Sequence, residues 1–260
     1  MKFQGNVTLT EQRWLNEDVF RFTVNRPEEI TEIKAGQFFN IKTNQYSSPL
    51  LRRPISVSGF TAETIEFTVK LMGEGTRQLS KFEKGEQLDI MGPLGNGFAY
   101  KGENKVLLIG GGIGIAPIKG LLEAIKTINP EAMIDVILGF RDAPFLENEF
   151  KDLVNTCTIV SENDSRFENG FVTEPFTRFM SNDYDMIFSC GPEAMLKALT
   201  SICNDNNLVI QLLMEEKMAC GIGACLVCTC KVKEGDLGFK HVRMCKEGPM
   251  FYGSEVIFNA

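Results

Sequence analysis

The sequence predicts a multidomain β plus α/β protein: an N-terminal antiparallel β-barrel, a parallel-sheet α/β domain, and a small C-terminal domain organised by cysteines. Three observations carry this. Residues 1–99 hold short runs of alternating β-branched and aromatic residues between turn signals. Residues 100–208 alternate continuous apolar strands with helical segments, the pattern of a parallel sheet covered on both faces. Residues 209–260 contain five of the chain's eight cysteines.

In chain order, the barrel strands are Val7–Thr10, Val19–Val24, Gly36–Ile41, Ile55–Ser58 and Ile65–Leu71. The run Gly92-Pro-Leu-Gly-Asn-Gly97 predicts a turn-rich hinge. Lys105–Ile109 then opens the second domain as an apolar strand, followed by a glycine turn and a helix over Ala116–Ile128. Further strands are expected at Ile134–Gly139, Cys157–Val160 and Tyr184–Ser189, with helices over 146–154 and 192–204. More short strands are expected after Val209.

The bulk properties narrow the function. A net charge of −7 and a pI near 5.0 argue against a nucleic-acid role. The first residues, MKFQGNVTLTEQRW, lack the apolar core of a secretory signal, so a cytoplasmic protein is expected. The apolar stretch Val106–Pro117 is broken by four glycines and is too short for a membrane span. Eight cysteines without a signal suggest metal or redox use instead of disulfides. The single histidine, His241, falls inside the cysteine-rich segment, which leaves little for Ser-His or Cys-His catalysis.

Cys220, Cys225, Cys228 and Cys245 follow the spacing C-x4-C-x2-C-x16-C. The first three positions match the plant-type loop that holds a [2Fe–2S] cluster, in which each iron takes two thiolates. Gly221 and Gly223 let such a loop fold tightly and bring peptide N–H groups to the sulfurs. A structural zinc site or plain buried thiols are the competing readings, and Cys230 rivals Cys228 as a ligand.

Four further motifs suggest nucleotide cofactors. In Arg52-Arg53-Pro54-Ile55-Ser56 an arginine can pair with a diphosphate and a serine can bond a flavin ring, although taken alone an Arg-Pro turn before a strand is more commonly just a turn. Gly73-Glu-Gly75-Thr76 offers N–H groups and a hydroxyl to the same diphosphate, or is a glycine turn capped by Thr76. Gly110-Gly111-Gly112-Ile-Gly114-Ile-Ala-Pro117 follows a strand and opens a helix, as a dinucleotide phosphate loop does, but departs from GxGxxG. Cys190-Gly191-Pro192 ends a later strand of that sheet and points to the same crevice, or is a buried structural cysteine. Asp142, Glu162 and Asp164 follow strands of the sheet and favour NAD over NADP, with Arg141 and Arg166 as the opposing charges.

Taken in order, these motifs resemble the ferredoxin–NADP reductase superfamily over residues 1 to about 205. The Met218-Ala-Cys-Gly-Ile-Gly-Ala-Cys-Leu-Val-Cys228 stretch is similar to that of the electron-transfer subunits of NAD-dependent, class 1B dihydroorotate dehydrogenase, and the likeness then spans the chain. The resemblance implies an FAD-binding barrel over 1–99, an NAD-binding domain over 100–208 and a [2Fe–2S] domain over 209–260. FAD contacts fall on Arg53, Pro54, Ile55, Ser56, Thr68, Val69, Lys70, Gly75 and Thr76. NAD contacts fall on Gly110, Gly111, Gly112, Gly114, Pro117, Cys190, Gly191 and Pro192, with Cys190 near the nicotinamide. The cluster falls on Cys220, Cys225, Cys228 and Cys245. No acid–base residue is implied, because the cofactors carry the chemistry. The implied partner is an FMN-containing dihydroorotate dehydrogenase catalytic subunit, in a heterotetramer of two of each, serving pyrimidine biosynthesis. A reductase subunit of a hydrogenase, sulfide or transhydrogenase complex is the other reading.

Overall fold

The computed structural model describes residues 2–43, 48–100, 102–235 and 238–258. Six strands close an antiparallel barrel in the order β1-β2-β5-β4-β3-β6. They are β1 (Phe3–Trp14), β2 (Val19–Asn25), β3 (Phe38–Ile41), β4 (Arg53–Phe60), β5 (Thr64–Lys70) and β6 (Gln87–Leu94), with the short helix α1 (Glu74–Leu79) before β6. The alternation legible in the sequence is the alternation of the barrel wall. Phe20, Phe22, Phe39, Ile41, Ile65, Phe67 and Val69 fill the interior, and the residues between them face out. Phe67 stacks on Phe22 at 5.1 Å and meets Phe39 edge-on at 5.6 Å.

The parallel sheet begins with β7 (Lys105–Gly111), followed by α2 (Ile115–Ile128), β8 (Met133–Phe140), α3 (Asn148–Lys151), β9 (Thr156–Ser161), β10 (Glu168–Asn169), α4 (Thr173–Phe179), β11 (Met186–Cys190) and α5 (Glu193–Asp205). The segment after it supplies β12 (Ile210–Leu213), β13 (Thr229–Glu234), β14 (Gly238–Arg243), β15 (Met250–Tyr252) and β16 (Val256–Ile257). The sheet runs β10-β9-β8-β7-β11-β12-β15. Val106 and Leu108 of β7 face α2, whereas Leu107 and Ile109 join the core that includes α4 and α5, so both faces of the strand are buried.

Three features depart from the sequence reading. The expected hinge at 92–97 is no hinge: Gly92–Leu94 completes β6, and the residues after it are clasped by the C-terminal segment. Asn96 Nδ2 donates to the carbonyls of Glu247 and Met250, and Gln211 makes a two-way amide pair with the backbone of Ala99 at 2.8 and 2.9 Å. The helix expected over 146–154 is a single turn, because Leu146 adopts φ +65 and breaks its start. The segment from 209 is not a separate layer either. β12 pairs parallel with β11 and β15 pairs antiparallel with β12, while β14-β13-β16 form a second small sheet.

Candidate functional site

A cleft of about 340 Å³ opens between the barrel and the parallel sheet. Its barrel wall is Arg53, Pro54, Ile55 and Ser56 of β4, Thr68, Val69 and Lys70 of β5, and Thr76 of α1. Its other wall is Gly111, Gly114 and Pro117 with Cys190, Gly191 and Pro192. Residues named from four separate motifs therefore meet in one cavity. Gly75, Gly110 and Gly112 lie beside it and not in its lining.

Each wall follows from local structure. Arg52 is turned away, held by Asp89 at 2.6 Å, which leaves Arg53 facing the cleft. Arg53 packs over Gly75, where a Cβ would come within 2.5 Å of its Nε. The two candidate diphosphate contacts are thus adjacent. Thr76 Oγ1 donates to the Gly73 carbonyl at 3.1 Å and accepts from Met72 N–H at 2.9 Å, so its hydroxyl also shapes the turn. Thr68 Oγ1 donates to Ser58 Oγ, and Lys70 pairs with Asp18 at 3.2 Å.

The opposite wall sits where the sheet reverses direction. From β7 the chain builds outward through β8, β9 and β10, then returns to place β11 on the other side of β7. Such a switch point leaves a crevice at the carboxyl ends of the strands. The loop after β7 and the Cys190 loop after β11 flank it. Only glycine fits at 114, where a Cβ would stand 2.5 Å from the Cys190 carbonyl. Pro117 lies in the first turn of α2, where its missing N–H has no helical partner to lose. Burial, aided by Glu215, pushes the Cys190 thiol far up, so it stays neutral at the cleft. Met72, Ile113, Ala116, Leu213, Met214 and Glu215 also line the cavity and were not anticipated. Glu215 follows β12, whose carboxyl end borders β11, and so reaches the cleft beside Cys190.

The cysteine loop lies against the barrel. Cys228 and Cys245 are buried in one core with Phe38 and Leu94, Cys220 is half-buried and Cys225 is exposed. Cys225 N–H donates to Cys220 Sγ at 3.4 Å, and the free thiols of Cys228 and Cys245 are neighbours in the buried part of the loop. Burial opposes the Cys220 thiolate, but the N–H groups of Ile222, Cys225 and Ala224 outweigh it and bring the thiol down to about 6. Burial and the Cys228 thiol push Cys245 up to about 12. Four cysteines on one loop and its return segment suit two bridged irons, each taking two thiolates. Cys230 lies on β13, packed against the core that holds Cys228 and Cys245 and lining a small recess with Glu193, Glu216 and Phe258, and burial pushes it up to about 11.

The surface around this loop is both apolar and basic, with Lys233 and Lys246 exposed. Ile222, Leu226 and Val227 are exposed beside Cys225. Of the basic residues in the segment, Arg243 is paired with Glu247, Lys240 with Glu234 at 3.5 Å, and Lys231 stands over the Phe239 ring. Asp236 lies outside the described residues. Among the described residues no helix is long and apolar enough to cross a membrane.

Comparison with known proteins agrees with this division of labour. Residues 6–100 match the oxidoreductase FAD-binding domain family, residues 108–201 the oxidoreductase NAD-binding domain family, and residues 215–257 the iron-sulfur cluster binding domain of dihydroorotate dehydrogenase B. The chain is 40% identical to the dihydroorotate dehydrogenase B (NAD+) electron transfer subunit of Caldanaerobacter subterraneus subsp. tengcongensis, over 86% of this chain and 87% of that one. It is 37% identical to the same-named subunit of Clostridium perfringens over 98% of both chains. Among solved structures it superposes on a chain of an NADH-dependent reduced ferredoxin–NADP oxidoreductase studied for flavin-based electron bifurcation. The TM-score is 0.84 at 26% identity, covering 96% of this chain and 89% of that one. A cytochrome P450 reductase from Amycolatopsis, at 20% identity and TM-score 0.67 over 80% of this chain and 67% of that one, shares the fold alone.

Proposed function

The chain belongs to the family of dihydroorotate dehydrogenase B (NAD+) electron transfer subunits, and from that we propose that it links an FMN-containing dihydroorotate dehydrogenase catalytic subunit to NAD+ in pyrimidine biosynthesis. It carries FAD-, NAD- and cluster-binding domains. When bound, FAD exchanges two electrons as hydride with nicotinamide and single electrons with an iron–sulfur cluster. The observation that carries the reading is the single cleft in which the β4–β5 wall faces the Gly111–Pro117 and Cys190–Pro192 loops.

The chain's residues have holding and shaping roles. Arg53 is placed for a diphosphate, with the backbone of Gly75 and Thr76 beside it. Pro54, Ile55, Ser56 and Thr68–Lys70 form a wall for the flavin ring, and Ser56 offers it a hydroxyl. The loop Gly110–Gly114 and Pro117 would receive the dinucleotide, and Cys190, Gly191 and Pro192 bound the place where nicotinamide meets the flavin. The neutral Cys190 thiol adds no charge there. Cys220, Cys225, Cys228 and Cys245 are the cluster ligands of this reading, with Cys230 outside the set.

The exposed Ile222, Leu226 and Val227 around Cys225 mark the face on which the catalytic subunit docks. Apolar contact there helps to hold the two subunits, in a cytoplasmic heterotetramer of two of each. The isolated, cofactor-loaded chain should oxidise NADH with artificial acceptors and leave dihydroorotate untouched. Adding the FMN subunit should restore dihydroorotate-dependent reduction of NAD+. Dihydroorotate oxidation by this chain alone would sink the proposal.

A further inference from the structure

Asn40 stands on the outer face of β3, where the barrel meets the cysteine loop. Its strand neighbours Phe39 and Ile41 point into the barrel core, and Phe38 packs with Leu94, Cys228 and Cys245. Asn40 itself is 1% exposed. Its Nδ2 donates to the Cys220 carbonyl at 3.4 Å. Gly221, at φ +71, runs directly over the same amide: a Cβ there would fall 2.1 Å from Nδ2. Across the strand pair, Asn40 is opposite Pro54, which lines the cleft. Opposed residues of an antiparallel pair share a face, with Cβ atoms about 4.5–5.5 Å apart. Asn40 therefore touches a cluster ligand's backbone on one side and neighbours the flavin wall on the other.

The amide is not explained by packing. Its Oδ1 is buried with no partner. A buried acceptor left unpaired costs about 1–3 kcal/mol, which an aliphatic residue of similar size would avoid. What an aliphatic side chain could not supply is the bond to the Cys220 carbonyl.

The geometry points to Asn40 as a positioning residue that ties the Cys220 end of the cluster loop to the flavin-bearing strand pair, and so fixes the gap an electron crosses between cluster and flavin. This role rests on the function proposed above. In each crossing the flavin loses the electron that the cluster iron gains, or the reverse. The transfer slows as the gap widens, and backbone N–H groups held toward the thiolates tune the cluster's potential. Cys225 N–H already reaches Cys220 Sγ at 3.4 Å, so a loop released from Asn40 would disturb both the gap and that contact.

The test uses the full chain loaded with flavin and cluster, carrying Asn40→Leu or Asn40→Asp. With NADH in a stopped-flow instrument, flavin bleaching should keep its rate. The reduced-cluster EPR signal, trapped by rapid freezing, should appear more slowly than in the unsubstituted chain. The cluster's midpoint potential should shift. Loss of iron from both variants with flavin bleaching intact would equally support the tie. An unchanged signal, rate and potential overturns it. So does equal slowing of flavin bleaching, which marks general damage to the barrel. If the unsubstituted chain gives no cluster signal with NADH, the proposed function fails, and the role of Asn40 is not what was refuted.

Discussion

Arg53 and Gly75 are in direct contact: the guanidinium of the one occupies the space where a side chain of the other would begin. Gly75→Val should displace Arg53 and empty the barrel of FAD. Arg53→Ala should weaken FAD about tenfold to a hundredfold, in line with the loss of a charge-assisted hydrogen bond of about 1.5–3 kcal/mol. Heat-released flavin measured by fluorescence reads both. FAD retained at full occupancy in Gly75→Val would mean the diphosphate lies elsewhere.

Replacing Cys225 with serine should remove both irons and the visible cluster absorption. The same change at Cys230 should leave iron content as it was, because that thiol lies on β13 in a recess of its own. Iron analysis of the two purified variants decides the point. A Cys230→Ser protein without iron would reassign the ligand set.

NADH should be preferred over NADPH by at least about tenfold in kcat/KM, or about 1.4 kcal/mol. Arg166, one candidate for a 2′-phosphate, is held by Asp164. Asp142 accepts from Asn163 Nδ2 at 2.9 Å and presents its carboxylate near the end of β8. Asp164→Asn should release Arg166 and narrow the preference. Steady-state rates with both nucleotides test this, and a starting preference for NADPH would refute it.

Lys119 of α2 is 4% exposed and reaches Glu66 of β5 at 2.9 Å, Glu123 at 3.0 Å and Glu149 at 3.6 Å. Burial works against its charge, but Glu66 and Glu123 more than offset this. Lys119→Ala would leave Glu66 and Glu149 with Arg21 and Arg13 as their cations and take from Glu123 its pairing with Lys119. It should destabilise the protein by about 3–5 kcal/mol, and Lys119→Met combined with Glu66→Gln should recover much of the loss. Urea unfolding of these proteins, with the single variants Lys119→Met and Glu66→Gln, measures it. An additive double variant would show that the pair is not coupled.

Much of this was legible in the sequence for identifiable reasons. Barrel strands such as Val19–Val24 and Ile65–Leu71 alternate because one side of each faces a core, and β7 is continuously apolar because neither side faces water. Arg53 and the glycine and proline positions of the cleft could be named because they carry local chemistry, whereas Thr68, Val69 and Lys70 came from the family resemblance alone. Glu215 and Asn40 could not: each matters through a neighbour distant in sequence, Cys190 in one case and Cys220 in the other. The hinge expected at 92–97 failed for the same reason. Its glycines and proline suggested local freedom, but Asn96 and Ala99 are fixed by Glu247, Met250 and Gln211, more than 100 residues away.

That clasp on residues 96–99 has a consequence for how the molecule works. A reductase whose two halves swing on a free connector sets its reactive alignment anew at each turnover. Here the cluster-bearing segment is stitched to the connector by Asn96 and Gln211, and to the sheet by β12 and β15. The alignment is then a property of the folded state, like the spacing of teeth on a gear. Solution scattering curves recorded with and without NAD+ should superimpose. Cutting the Gln211 stitch, with Gln211→Leu, should be what first lets them diverge.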